Sequence, residues 1–117
     1  RRQNPEKALS HLRRALQTDP EAVGALNMLA WILATTGDDT IKNPEQAVSY
    51  AQKACSLKQP DAALLFTLSV AHAEARQFTR ALESAESALA RARKAGQPKI
   101  ARVIENHIRK LTNKNLN

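Results

Sequence analysis

The sequence predicts an all-α fold of helix–turn–helix repeats, and three observations predict it. Alanine and leucine dominate, with only three glycines and four aromatic residues in 117, a composition that favours helix over sheet. The text from Asn4 to Pro20, NPEKALSHLRRALQTDP, is nearly restated from Asn43 to Pro60 as NPEQAVSYAQKACSLKQP. Small residues then recur in register: Ala8 and Ala15, Ala47 and Ala54, Ala81 and Ala88. Each pair is seven residues apart, two helical turns, so both members face the same way. The third pair lies in FTRALESAESALARARKAG, a copy degraded in letters but kept in its small positions.

Six helices follow in order. The first, 5–18, starts on Asn4 as N-cap with Pro5 in the first turn. The second, 21–36, opens on Asp19–Pro20–Glu21 and carries one apolar stripe of Val23, Leu26, Leu29, Ala30 and Leu33. Met28, Trp31 and Ile32 lie off that stripe, so this helix is apolar nearly all round and is expected to be sandwiched. The third, 44–58, repeats the Asn-Pro start, with Gln46 three places after Asn43 to complete a capping box. Helices over 61–76 and 78–95 follow. The last, 98–112, is amphipathic through Ile100, Ile104, Ile108 and Leu111, with Lys99, Arg102, Glu105, Asn106, Arg109 and Lys110 on its polar face. Such a helix caps a repeat array, whose uncapped end exposes apolar surface. Residues 113–117 are expected to fray. No apolar run reaches the length of a membrane span.

The spacing of Ala47 and Ala81 is 34 residues, and that of Ala8 and Ala47 is 39. A 34-residue helix–turn–helix period is the mark of the tetratricopeptide repeat (TPR), and the chain resembles that family. In the central repeat Leu26, Leu29, Ala30 and Leu33 match helix A, Gly37 the turn, and Ala47, Ala51 and Ala54 helix B, with Pro60 one place late. In the next, Leu65, Leu68, Ser69 and His72 match helix A, and Phe78, Ala81, Ala85 and Ala88 match helix B. Ala8, Leu12, Ala15 and Pro20 match a helix B alone. Arg76 stands where the pattern has a second turn glycine, Leu33 or His72 where it has an aromatic, and five extra residues lie between Gly37 and Ala47. LAWILAT followed by the longer turn is similar to a variant repeat common in bacterial TPR proteins.

The resemblance implies a right-handed α-solenoid in one domain, 1–117. It divides into an orphan helix B (1–20), a repeat with a long turn (21–60), a second repeat (61–97), the capping helix (98–112) and the tail. A half repeat at the start implies a longer native chain, whose compartment, bacterial cytoplasm or envelope, the sequence leaves open. The resemblance also implies a non-catalytic protein-binding module with a concave groove lined by helix A. The matching positions are Gly24, Asn27, Trp31 and Ala34, then Ala63, Phe66, Val70 and Ala73, and on the cap helix Lys99, Arg102, Asn106 and Arg109. Asn27, Trp31, Phe66, Val70, Lys99, Arg102, Asn106 and Arg109 are the expected partner-binding set. Trp31 is either a groove anchor or a packing residue against an upstream helix or the long turn. Phe66 contacts the ligand or packs on Trp31. The carboxylate clamp of chaperone-binding TPR domains is not expected, because of its matching positions Asn27, Trp31, Thr67, Lys99 and Val103 only Lys99 agrees.

No catalytic, metal or cofactor constellation is expected. His11, His72 and His107 are far apart without partners at ligand spacing, and His72 is expected to be a packed structural residue. Asp38 and Asp39 lack the alternating ligands of a calcium loop and are expected to form a solvated turn. Cys55 is expected to be a small, half-buried hydrophobe. Charge is uneven: residues 1–20 carry net +3, 21–90 net −3 and 91–117 net +7. The basic end is first a solvated cap face, second a dock for an acidic peptide or protein with an apolar anchor, and third a nucleic-acid surface. The third ranks last because no aromatics interleave with the basic residues. The alternative class is a structural, oligomerisation or regulatory segment of a larger bacterial protein.

Overall fold

Six helices form among the described residues, and polar side chains just ahead of the apolar run fix the starts of three of them. In the computed structural model, which describes residues 4–116, the six are α1 (Pro5–Thr18), α2 (Val23–Thr35), α3 (Pro44–Leu57), α4 (Ala62–Glu74), α5 (Phe78–Lys94) and α6 (Pro98–Leu116). Asn4 accepts from the amides of Glu6 and Lys7, Asn43 from Gln46, and Asp61 from Leu64, each satisfying amides that a helix start leaves open. The capping box at α3 is half formed. The Asn43 N–H, the group that Gln46 would reach, donates to Leu33 O at 2.9 Å and ties the start of α3 to the end of α2.

Three boundaries differ from expectation by two residues or more: the start of α2, the end of α4, which closes at Glu74 rather than residue 76, and the end of α6; the others agree within one residue. The start of α2 moves from residue 21 to Val23, because the Asp19 carboxylate takes the Glu21 amide and the Asp19 carbonyl takes the Ala22 amide, forming a separate turn. The tail expected to fray from residue 113 is helical through Leu116. Asn117, and Arg1, Arg2 and Gln3 of the first segment, lie outside the described residues. The expectation that α2 is sandwiched holds on three sides. It packs on α1, α3 and α4, while Met28 and Trp31 remain 50% and 36% exposed.

The α4–α5 and α5–α6 turns are built alike. Gln77 N–H bonds His72 O and Arg76 N–H bonds Ala73 O; Gln97 N–H bonds Ala92 O and Gly96 N–H bonds Arg93 O. This pattern closes a helix only when the residue after its C-cap is left-handed. Gly96 (φ 68°) and Arg76 (φ 64°) occupy that place. The long α2–α3 turn folds on Asp38. Its carboxylate accepts from the Thr40 amide and hydroxyl, its carbonyl accepts from the Ile41 and Lys42 amides, and Lys42 pairs with Glu74 at 2.7 Å. Ile41 packs into the core beside Leu9 and Leu33.

The helices form two layers. α2 packs on α4 and α4 lightly on α6, giving one layer. α1, α3 and α5 form the other, each against the helices of the first layer, with no close backbone approach between α1 and α3 or α3 and α5 among the described residues. Small residues set the spacing. Ala47, Ala51 and Ala54 of α3, and Ala81, Ala85 and Ala88 of α5, are all at most 1% exposed, and bring neighbouring backbones close. The large core side chains are Leu26, Leu29, Leu33 and Ile104. A radius of gyration of 14.1 Å is close to the ~13 Å of a compact domain of this length.

Candidate functional site

The exposed side of the α2–α4–α6 layer carries a row of rings. Trp31 on α2 and Phe66 on α4 stack with centroids 5.9 Å apart, tilted by 35°. His107 on α6 meets Phe66 edge-on at 5.1 Å, the T-shaped arrangement that ring quadrupoles favour. Helical spacing delivers this row. Trp31 lies one turn after Asn27, and Phe66 and Ser69 lie on adjoining strips of α4. Trp31 and Phe66 therefore pack on each other while Trp31 keeps a solvent-facing side.

His107 is fixed by a directed hydrogen-bond chain. The buried Ser69 hydroxyl donates to Ala81 O at 2.6 Å, so its lone pairs face the His107 Nε2 at 2.9 Å. That geometry makes Nε2–H the donor and leaves Nδ1 unprotonated. Burial, with a smaller contribution from Lys110, lowers the imidazole pKa below 6.5. The arrangement is opposite to that of an activated serine, whose proton must point at the histidine. His72 is buried, and its Nδ1 lies 2.7 Å from Gln77 Oε1, a packed residue that braces the α4–α5 turn.

Beside Phe66 the α4 and α6 helices splay, because α6 rests chiefly on α5. The cleft between them is floored by Ala63, Phe66 and Thr67 and walled by Ile100, Val103 and Ile104, with Lys99 at its edge. Ile100 and Val103 are 38% and 54% exposed. Of the expected binding residues, Trp31 and Phe66 share the ring-bearing face, Asn27 lies one helical turn before Trp31 on α2, and Lys99 joins the face across the cleft. Val70 does not belong to it. It is buried with Leu29, Leu33 and Ala71, because its strip of α4 faces α2. Ala34 is likewise sealed. Arg102 lines a different cleft, with Arg93 and Glu105 at the α5–α6 turn, where Arg93 and Glu105 pair at 2.7 Å. Asn106 and Arg109 are exposed and bond each other at 2.9 Å.

Val103 and His107 were outside the expected set, and Ile100 was expected in the core stripe. Val103 did carry a signal: a β-branched apolar residue among lysines, arginines and asparagines. His107 carried none, since its partner is 38 residues away. Asp38 is held by Thr40, which lowers its carboxyl pKa. Burial, and secondarily Asp61, raises that of the Cys55 thiol, which faces Leu64 O at 3.7 Å. Among the described residues, no cluster of three or more His, Cys, Asp or Glu side chains could hold a metal ion, and no helix is long and apolar enough to cross a membrane. Comparison with protein-family models, curated proteins and solved structures finds no match for this chain.

Proposed function

We propose that the chain is a non-catalytic protein-interaction module of TPR type, a right-handed solenoid segment whose α2–α4–α6 face binds a peptide or partner protein. The observation that carries the reading is the Trp31–Phe66–His107 row, three rings from three helices held in line at a partly exposed face. Rings of this kind are the residues that dominate binding energy at interfaces. The layering supports the solenoid. Helices of one layer approach one another and those of the other do not, as a solenoid with α2, α4 and α6 on its inner side would require. The direction of the Ser69 proton argues against a nucleophilic role, and the basic cap helix favours acidic partners.

Trp31 is the only tryptophan, so its fluorescence reports directly on the face. A partner isolated by affinity capture is titrated against the chain and against Trp31→Ala and the pair Arg102→Glu, Arg109→Glu. Removing the anchor is expected to cost ~2 kcal/mol. Reversing the rim charges is expected to act mainly on salt dependence and association rate. Unchanged binding in both variants, with helicity intact, removes this face from the account.

A structural or oligomerisation role is the second reading, and α1 favours it. Its anchors Ala8 and Ala15 are half-buried and exposed, unlike their sealed counterparts in α3 and α5. They leave on α1 a strip of small residues that another helix would fit. A mass that rises with concentration in sedimentation equilibrium, and is lost in Ala15→Glu, would favour this reading.

A further inference from the structure

We infer that the α4–α6 cleft is a side-chain pocket for one aliphatic residue of an acidic segment, with Lys99 taking a neighbouring carboxylate. The inference rests on the protein-interaction reading and names the chemistry of the partner.

Three observations carry it. First, the cleft is almost wholly apolar, lined by Ala63, Phe66, Ile100, Val103 and Ile104, with Lys99 supplying charge at its edge. An apolar recess with a few placed polar groups is the usual form of a binding pocket. Second, Ile100 and Val103 serve no purpose as a solvated cap. Both are more than a third exposed on a helix whose other open positions are mostly polar, among them Lys99, Arg102, Asn106, Arg109 and Lys110. β-branched residues are poorer helix formers than lysine or arginine at open sites. Their side chains gain only if something covers the cleft. Third, the charge that lines it is basic, Lys99, while the carboxylate of Asp61, two residues before Ala63, is held as the α4 N-cap by the Leu64 amide. Residues 91–117 carry net +7, and the single acidic residue there, Glu105, is engaged by Arg93 on the far flank of α6. A basic or neutral-polar segment would meet repulsion or no attraction at Lys99. The Phe66 ring already meets Trp31 and the edge of His107, so the face it turns to the cleft is the one a guest would cover. The cleft thereby continues the ring-bearing face sideways.

The test uses the full isotope-labelled chain and three acetylated, amidated pentapeptides: Asp-Glu-Leu-Glu-Asp, the same with Ser for Leu, and Lys-Lys-Leu-Lys-Lys. The acidic leucine peptide is expected to shift the amide signals of Ala63, Thr67, Ile100 and Val103, and the other two to leave them in place. Ala63→Leu, which fills the recess from an exposed position, and Lys99→Glu are each expected to weaken it by about tenfold, one placed contact's worth. Absence of shifts at these residues at millimolar peptide overturns the inference, as does equal binding of the serine or the basic peptide. Shifts confined to Asn27 and Trp31 and unaffected by Ala63→Leu overturn the pocket but keep the interaction face. Shifts at the cleft that grow with protein concentration alone, and vanish in Ala63→Leu, overturn it in favour of a second copy of the chain. The wider reading stands or falls separately, on the Trp31→Ala titration.

Discussion

The proton on Ser69 and the missing proton on His107 are worth following through pH. The folded imidazole is held below its usual 6.5 by burial and by Lys110, whereas the unfolded one titrates normally. Below 6.5 the unfolded state therefore binds more protons, so the stability present above that pH drains away as pH falls through the folded value. Urea midpoints are expected to drop between pH 7.5 and 5, and to drop less in His107→Gln, which retains a donor for Ser69 but cannot titrate. Equal pH slopes in the two proteins would contradict this. Arg76 gives a second residue-scale case. Its left-handed φ of 64° costs about 1 kcal/mol relative to glycine. Its guanidinium lies 5.4 Å from the Phe78 ring centroid, which returns ~0.5 kcal/mol at an open site. Arg76→Ala keeps the strain and loses the ring contact, so it is expected to be the least stable of the three. Arg76→Gly is expected to fall within about 0.5 kcal/mol of the parent, since relief of strain offsets the lost contact and the added chain entropy. Thermal unfolding of the series checks the order. The sequence revealed that Arg76 stood in a glycine's place; its partner Phe78 and the Ser69–His107 pair needed the fold, because side chains distant in sequence meet only through packing.

At the scale of helices, the same letter does different work in the three copies. Ala15, Ala54 and Ala88 occupy one register. Ala54 and Ala88 lie at most 1% exposed between packed backbones, while Ala15 faces solvent. Leucine at position 54 or 88 must push two helices apart and is expected to cost 1–3 kcal/mol or more, roughly the usual penalty of overpacking. Leucine at 15 meets no neighbour and is expected to stay within about 0.5 kcal/mol of the parent. Denaturant titration of the three variants decides it, and an equal penalty at all three would mean that α1 is covered after all. Helix number, order and most boundaries were legible in the sequence because caps and period are local signals. The start of α2 was not, since Pro20 and Glu21 suit a first turn until the Asp19 side chain claims the Glu21 amide. The long turn was legible as an insertion only. Its order depends on Ile41 finding the core and Lys42 finding Glu74. On α6, a polar face was read from six residues, four of them expected to bind, and the structure puts Lys99 in the cleft toward α4 and Arg102 in the one toward α5, because α6 leans on α5 and away from α4.

Across the whole molecule, stability should be graded rather than uniform. Each helix is held by the helices it packs on, so the number of neighbours sets local opening. α4 packs on α2, α3, α5 and α6, and eight of its thirteen residues are buried. Among the helices α1 approaches α2 alone, and it buries Leu9, with Leu12 and Leu16 half covered. The two Asn-Pro helices, α1 and α3, share nearly the same sequence and the same cap, so intrinsic propensity cannot separate them. Any difference in their protection therefore measures packing. Hydrogen exchange is expected to give the lowest protection over 5–18, intermediate values over 44–57, and the highest over 62–92, where α4 and α5 meet. α6 is expected to exchange faster at its end, beyond Leu111, than at Ala101 and Ile104, which are buried against α5. The rates should separate by region under native conditions and converge only near the unfolding midpoint, where the array opens as a unit. Protection of α1 equal to that of α3 would mean that one neighbour holds a helix as well as two, and the nearest-neighbour account of this fold would have to be given up.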